Sequence, residues 1–210
     1  MHVRGSPASG KSYMACLLRD YYQSQTPSVP VILFSSWPQR GIHLSAEKFL
    51  TSRANADGFS FKDADLLKQD IVFILDEGQL SYDDHELWAL VKFQDSRPVG
   101  PQFCILTSYG SPATGPERMP ATSPVFLNVK KRVSIKPSRI EGSPEIALFY
   151  NETELEDVVR RFCDVPQHYL RISSATQDYI FDLTQGQPGA VDVLLRMLEK
   201  VCLFLPSTSV

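Results

Sequence analysis

A chain of 210 residues, 43% hydrophobic and 21% charged, can bury a full core as one large domain or as one domain with a small appendage. Its formal net charge of −3 gives no electrostatic reason to expect a nucleic-acid or membrane partner. No stretch has the apolar length of a membrane span, and the N-terminus lacks the apolar core of a secretory signal. We therefore expect an intracellular protein, cytoplasmic or nuclear.

The cysteines support the same expectation. They are widely spaced, match no metal-binding or redox motif, and three of them lie in apolar periodic segments. We predict buried thiols in a reducing compartment. The four positions are Cys16, Cys104, Cys163 and Cys202.

The first motif is a glycine-bounded loop with the spacing G-x-x-x-x-G-K-[ST], which is the form of a phosphate-binding loop. Its glycines let backbone N–H groups converge on phosphate oxygens, Lys11 can reach the β- and γ-phosphates, and Ser12 offers a hydroxyl to Mg²⁺. Apolar residues at helical spacing from Met14 to Tyr21 predict a helix whose N-terminus favours the same phosphates. The alternative is a simple turn before a surface helix. The expected nucleotide-binding residues are Gly5, Ser6, Pro7, Ala8, Ser9, Gly10, Lys11, Ser12 and Tyr13.

Two strands frame this loop and helix. Only residues 1–4 precede the loop, whereas such a loop ordinarily follows a buried strand of about 5–6 residues. Either the first strand is minimal or the chain is the later part of a longer architecture, and we favour the second interpretation. The apolar run from Val29 to Ser36 predicts the next strand, joined by a right-handed crossover.

A second motif follows the apolar run Ile71 to Leu75, which is typical of a strand buried in a parallel sheet. The run ends in Asp76 and Glu77, where ligands bind in open α/β sheets. We predict that Asp76 holds Mg²⁺ and that Glu77 orients the water that attacks the γ-phosphate. The alternative is a helix N-cap followed by a first-turn acid.

The remaining core elements complete the predicted sheet. The strand from Phe103 to Thr107 ends in polar residues, and either Thr107 or Ser108 could sense the γ-phosphate or simply leave the sheet through a loop. A capped amphipathic helix is predicted between Asp83 and Gln94, and a fifth strand from Ser123 to Val129. The result is a P-loop NTPase of α/β class, with a five-stranded, mostly parallel, doubly wound sheet over residues 1–135.

After the sheet, the pattern predicts a short exposed strand from Val133 and a connecting strand and turn segment over residues 136–150. Residues 151–205 predict a small C-terminal helical lid with Asn151 as an N-cap. Gly186 ends one helix of this lid and Pro188 opens the next.

This combination resembles the AAA+-related STAND class of P-loop ATPases, and "ILDEGQLSYDDHELW" with "ILTSYGSP" resembles the ATPase regions of fungal and oomycete Crinkler-type effector proteins. The resemblance implies that Lys11 and Glu77 are catalytic, that Ser12 and Asp76 bind the metal, and that Pro188 lies by the nucleotide. Members of this class usually have Ala where this chain has Gly78, so we expect a looser strand end.

The leading hypothesis is a nucleotide-operated switch with slow Mg²⁺-dependent ATPase activity and a protein partner or self-association. One alternative is a non-catalytic nucleotide-binding or interaction module. Another is a P-loop small-molecule kinase, for which the lid has few of the arginines that such an enzyme would need.

Overall fold

The computed structural model describes residues 1–38, 45–95, 97, 99–108, 131–135, 147–166 and 170–204. Within these ranges the strands are β1 (His2–Gly5), β2 (Val31–Phe34), β3 (Val72–Leu75), β4 (Gln102–Ser108) and β5 (Arg132–Ser134). The helices are α1 (Lys11–Gln25), α2 (Ala46–Ala56), α3 (His85–Asp95), α4 (Glu152–Cys163), α5 (Ser174–Thr184) and α6 (Pro188–Phe204). Short 3₁₀ helices span Asp63–Lys68 and Gly78–Ser81.

The strands form one parallel sheet in the order β2-β3-β4-β1-β5. The α/β class and the parallel pairing are therefore confirmed. Because every strand runs in the same direction, the carboxyl ends of β1, β3 and β4 meet at one edge of the sheet, which we call the carboxyl edge. The predicted strand from Ser123 to Val129 lies outside the described residues, and the strand paired with β1 at the sheet margin is β5.

Two details of the prediction are wrong. The residues from Val133 were expected to form an exposed strand, but Val133 is buried in β5, where it pairs with Val3. Only Cys104 among the cysteines is buried, and burial raises the pKa of its thiol to about 11. Cys202 is exposed, so an apolar periodic segment did not suffice to predict burial.

The core packed against the sheet combines aliphatic and aromatic side chains. Phe73 of β3 and Phe103 of β4 stack with ring centroids 5.5 Å apart, and side chains of α2 and α3 pack around them. The sequence analysis did not predict α2, which begins after Ser45, whose side chain accepts a hydrogen bond from the Lys48 backbone N–H. For α3 the cap is Asp84, whose Oδ1 accepts from the Leu87 N–H at 3.0 Å.

The chain divides into two compact units. The first unit comprises Met1–Pro7 and the described residues of Lys11–Ser134. The second comprises Ala8–Gly10, Ile135 and the described residues from 147 onward. No helix in the described parts of either unit is both long and apolar enough to cross a membrane.

The second unit contains α4, α5 and α6, and its caps match the sequence pattern. Asn151 and Glu154 form a reciprocal capping box at the start of α4, so the predicted N-cap is confirmed. After α5 the backbone turns through left-handed conformations at Gln185 (φ 49°) and Gly186 (φ 73°). Pro188 then begins α6, where its missing N–H costs no helical hydrogen bond.

Gly78 tightens the strand end instead of loosening it. A Cβ atom at this position would overlap Cγ2 of Ile105 and lie 3.1 Å from the backbone oxygen of Leu106. The 3₁₀ helix Gly78–Ser81 therefore packs directly against β4. The expectation drawn from the absence of Ala is wrong because the space that a methyl group needs is filled by β4.

Replacing Gly78 with Ala should therefore lower the free energy of unfolding by about 1–3 kcal/mol, the usual cost of overpacking a closed site. Chemical denaturation followed by circular dichroism would measure the change. Leu80→Ala is the control, since Leu80 is an exposed residue of the same 3₁₀ helix. An unchanged stability of Gly78→Ala would show that β4 yields freely to the added methyl group.

Replacing Gly186 with Ala should destabilise the second unit, because the residue combines φ +73° with a Cβ position that overlaps the carbonyl oxygen of Tyr150. Gly58→Ala is a matched control, since Gly58 has φ +96° with open space around the Cβ position. The control loses about 1 kcal/mol through backbone strain alone, and Gly186→Ala should lose more. Hydrogen exchange of the α4–α6 amides would report the difference, and equal losses would contradict it.

Candidate functional site

The loop between β1 and α1 adopts an irregular backbone with positive φ angles. Gly10 has φ 89°, and Ala8 has φ 54°, which is the left-handed region that an L-residue enters at a cost of about 1–2 kcal/mol. Alternation of right- and left-handed residues turns successive N–H groups toward a common point and makes an anion-binding concavity. A strained alanine in such a loop is the kind of outlier that occurs at ligand-binding sites.

Lys11 is the first residue of α1 and its side chain is only 5% exposed. Its Nζ donates to the backbone oxygen of Ser6 at 2.6 Å and to that of Gly5 at 3.5 Å. Burial lowers the pKa of the ammonium from its usual value, while the carboxylates of Glu77 and Asp76 act in the opposite direction. The lysine is thus folded onto the loop and lies within electrostatic reach of both acids.

Asp76 and Glu77 follow β3 at the carboxyl edge. Asp76 is 7% exposed, its N–H donates to the Phe34 oxygen at 2.8 Å, and its Oδ1 accepts from the Glu77 N–H at 2.9 Å. Glu77 is half-buried and has φ 49°. Because β4 lies between β1 and β3, the acids are two strand spacings, about 10 Å, from the end of β1.

Gln79 joins this acidic turn to β4. Its side chain is 4% exposed, and its Nε2 donates to Oε2 of Glu77. Its Oε1 accepts from the Ser108 N–H at 3.0 Å. The sequence analysis assigned no role to this glutamine, because a single polar residue in a turn has no periodicity or spacing that would distinguish it from a solvated one.

The same turn is held from α3. Ser81 Oγ donates to the Gly78 oxygen at 2.6 Å, and the Trp88 indole N–H donates to the Ser81 oxygen at 2.8 Å. The ring of His2 meets Trp88 edge to face, with centroids 6.0 Å apart. These buried polar contacts fix the backbone that carries the two acids.

Thr107 and Ser108 are placed differently. Thr107 is 1% exposed, and its Oγ1 lies 3.0 Å from Nε2 of His2, so its hydroxyl is engaged between β4 and β1. Ser108 is half-buried, ends β4 and pairs in register with Gly5, the first residue of the loop. The structure therefore distinguishes the surroundings of Thr107 from those of Ser108, which the sequence alone could not do.

The remaining expected residues lie in both units. In the first unit, Ser12 and Tyr13 are exposed in the first turn of α1. In the second unit, Pro188 begins α6, and the Gly189 N–H donates to the Ala8 oxygen at 2.9 Å. The structure thus brings Lys11 together with Asp76 and Glu77 in one unit and places Ala8–Gly10 with Pro188 in the other.

The described residues contain no group of three or more His, Cys, Asp or Glu side chains arranged to hold a metal ion. The hydroxyl of Ser12 and the carboxylate of Asp76 are both hard oxygen donors. Mg²⁺ prefers such ligands and commonly takes one or two protein oxygens together with substrate phosphates and water. These residues therefore fit the predicted ion in donor type.

No protein-family model and no curated protein matches this sequence. The chain is similar to three structures of RuvB variants from Thermotoga maritima, with 17%, 18% and 14% identity and TM-scores of 0.45, 0.46 and 0.42. Each match covers 96% of this chain and 56%, 55% and 55% of the respective RuvB chain. The chain thus spans about half the length of these proteins. None of the comparisons supports the narrower resemblance to Crinkler-type effectors.

Proposed function

We propose that the chain binds Mg²⁺-ATP at the carboxyl edge of the sheet and hydrolyses it slowly, as the core of a P-loop nucleotide switch. The observation that carries the proposal is the meeting of three charged groups at this edge. A buried lysine at the end of a strained loop lies within electrostatic reach of two acids at the end of β3. Cation, loop amides and carboxylates are the groups that phosphoryl transfer from ATP requires.

When ATP binds, the Lys11 ammonium would exchange its present hydrogen-bond acceptors for phosphate oxygens. Its ammonium now donates to backbone carbonyls of the loop, and phosphate oxygens are stronger, charged acceptors. The first turn of α1 adds N–H groups and a positive dipole end. Ser12 and Asp76 would hold Mg²⁺, which neutralises charge on the phosphates when it is bound.

Hydrolysis would use Glu77. Its carboxylate orients a water molecule and accepts a proton from it while the water oxygen bonds to the γ-phosphorus. The bond between the γ-phosphorus and the bridging oxygen breaks, and that oxygen leaves with ADP. We assign γ-phosphate sensing to Ser108, since the Thr107 hydroxyl is engaged with His2.

We also propose how the nucleotide state would be communicated to other protein molecules. In a switch of the STAND type, the helical lid beside the nucleotide would couple the nucleotide state to a partner protein or to self-association. Pro188 at the start of α6 would lie by the nucleotide in that arrangement. The strained Ala8 and its bond to Gly189 in the second unit support a loop that is held in a defined conformation.

A titration of the purified chain with Mg²⁺-ATP by calorimetry, with phosphate release followed in the same samples, tests the proposal. Wild type should bind and turn over slowly. Lys11→Ala should weaken binding roughly 10- to 100-fold, since a charged hydrogen-bond donor contributes about 1.5–3 kcal/mol. Glu77→Gln should bind without turnover, because an amide cannot accept the proton.

Lys48→Ala is the matched control, since it removes the same charge from an exposed position on α2 and should leave binding unchanged. Absence of binding by wild type at millimolar ATP would contradict the proposal and favour an interaction module. Binding without turnover in wild type would favour a non-catalytic nucleotide-binding module. Phosphate transfer to an added hydroxyl compound in place of water would identify a kinase.

A further inference from the structure

Gln79 makes two hydrogen bonds that connect different parts of the carboxyl edge. A buried carboxamide is stable only when its donor and acceptor are satisfied, and here each end has a separate partner. The Nε2 end donates to the Glu77 carboxylate and the Oε1 end accepts from the Ser108 backbone. One side chain therefore ties the acid that follows β3 to the last residue of β4.

From these contacts we infer that Gln79 is a positioning residue, which orients the Glu77 carboxylate. The orientation that it imposes depends on the position of Ser108, the last residue of β4. The inference rests on the proposed function, because it concerns how the proposed base is held. The inference adds Gln79, a residue to which the spacing of the sequence motifs assigned no role, to the proposed site.

Without this contact, the Glu77 side chain would have considerable conformational freedom. A half-buried glutamate on a turn has three rotatable side-chain bonds, and only a fraction of its rotamers directs an oxygen to one point. The donor of Gln79 engages Oε2 and so restricts Glu77 to the rotamers that keep this hydrogen bond. The other oxygen, Oε1, is then confined to fewer directions, from which it would engage a water molecule.

The turn that carries Gln79 is itself held rigidly. Gly78 packs against Ile105 without space for a side chain, and Ser81 is fixed by Trp88 of α3. Glu77 itself has a left-handed backbone, φ 49°, a strained conformation that the surrounding packing must impose. Residues that position a catalytic group require this kind of locked support.

The second partner of Gln79 lies at the end of β4, beside the start of the loop. Ser108 ends β4 and pairs with Gly5 at the start of the loop. A displacement of this residue by a bound phosphate would be transmitted through Gln79 to the Glu77 carboxylate. The orientation of the base would then depend on occupancy of the site, with a single side chain as the connection.

Two substitutions separate this role from a purely structural one. Gln79→Met keeps a similar side-chain length, introduces an apolar group suited to a buried position and removes both hydrogen bonds. Gln79→Glu can still accept from the Ser108 N–H, but it replaces the donor to Glu77 with a second carboxylate. If Gln79 only fastens the turn to β4, both variants should lose stability without a selective loss of kcat.

We expect both variants to bind Mg²⁺-ATP within about twofold of the wild-type affinity while kcat falls about tenfold or more, because misplacing a catalytic group lowers the rate without weakening the ground-state complex. Leu80→Ala, an exposed neighbour on the same 3₁₀ helix, should change neither quantity. A Gln79→Glu variant with wild-type kcat would overturn the inference. So would a parallel loss of affinity and kcat in both variants.

A second measurement does not depend on ATP. A double-mutant cycle of Gln79→Met and Glu77→Ala on the free energy of unfolding should show coupling between the two side chains in the nucleotide-free protein. Zero coupling would overturn the contact itself. If wild type binds no ATP, the proposed function and the positioning role both fail, and coupling in the cycle would then mark a structural bond only.

Discussion

Gly78 lies so close to Ile105 and to the backbone of β4 that no side chain fits between them. This contact determines where the chain goes after β3, because the residue after Glu77 must pass directly over the neighbouring strand. It brings Gln79 within hydrogen-bond distance of Ser108 and leaves Glu77 at the carboxyl edge. The acidic turn is therefore positioned by packing against β4 as much as by the strand that precedes it.

Much of the fold could be predicted because burial leaves a pattern in the sequence. The apolar run before Asp76 indicated β3, and capping residues such as Asn151 indicated helix starts. The margin strand β5 was expected, but as an exposed strand, since only Val133 of its three residues is apolar and so short a segment shows no period that would indicate burial. Likewise α2 was missed, because its hydrophobic residues include the small Ala46 and Ala54, which contribute little to a pattern.

The candidate site could be predicted only in part, for a related reason. Residue types and spacing singled out Lys11, Asp76 and Glu77 as candidates, because the proposed chemistry depends on residue type, and the structure places all three in the first unit. They could not identify Gln79 or separate Thr107 from Ser108, because those distinctions depend on strand register. In the structure, alternation along β4 gives Thr107 to His2 and leaves Ser108 at the end of the strand beside Gly5.

The order of the strands has a chemical consequence that no local motif contains. Were β3 next to β1, Asp76 and Glu77 would lie about 5 Å closer to the loop. With β4 between them, the acids are two strand spacings from the end of β1, while the Lys11 ammonium donates to the carbonyls of Ser6 and Gly5. The intervening strand also supplies Ser108 to the space between loop and acids. The strand order therefore sets the distance between the loop and the acids, and with it how strongly the two carboxylates raise the pKa of the Lys11 ammonium.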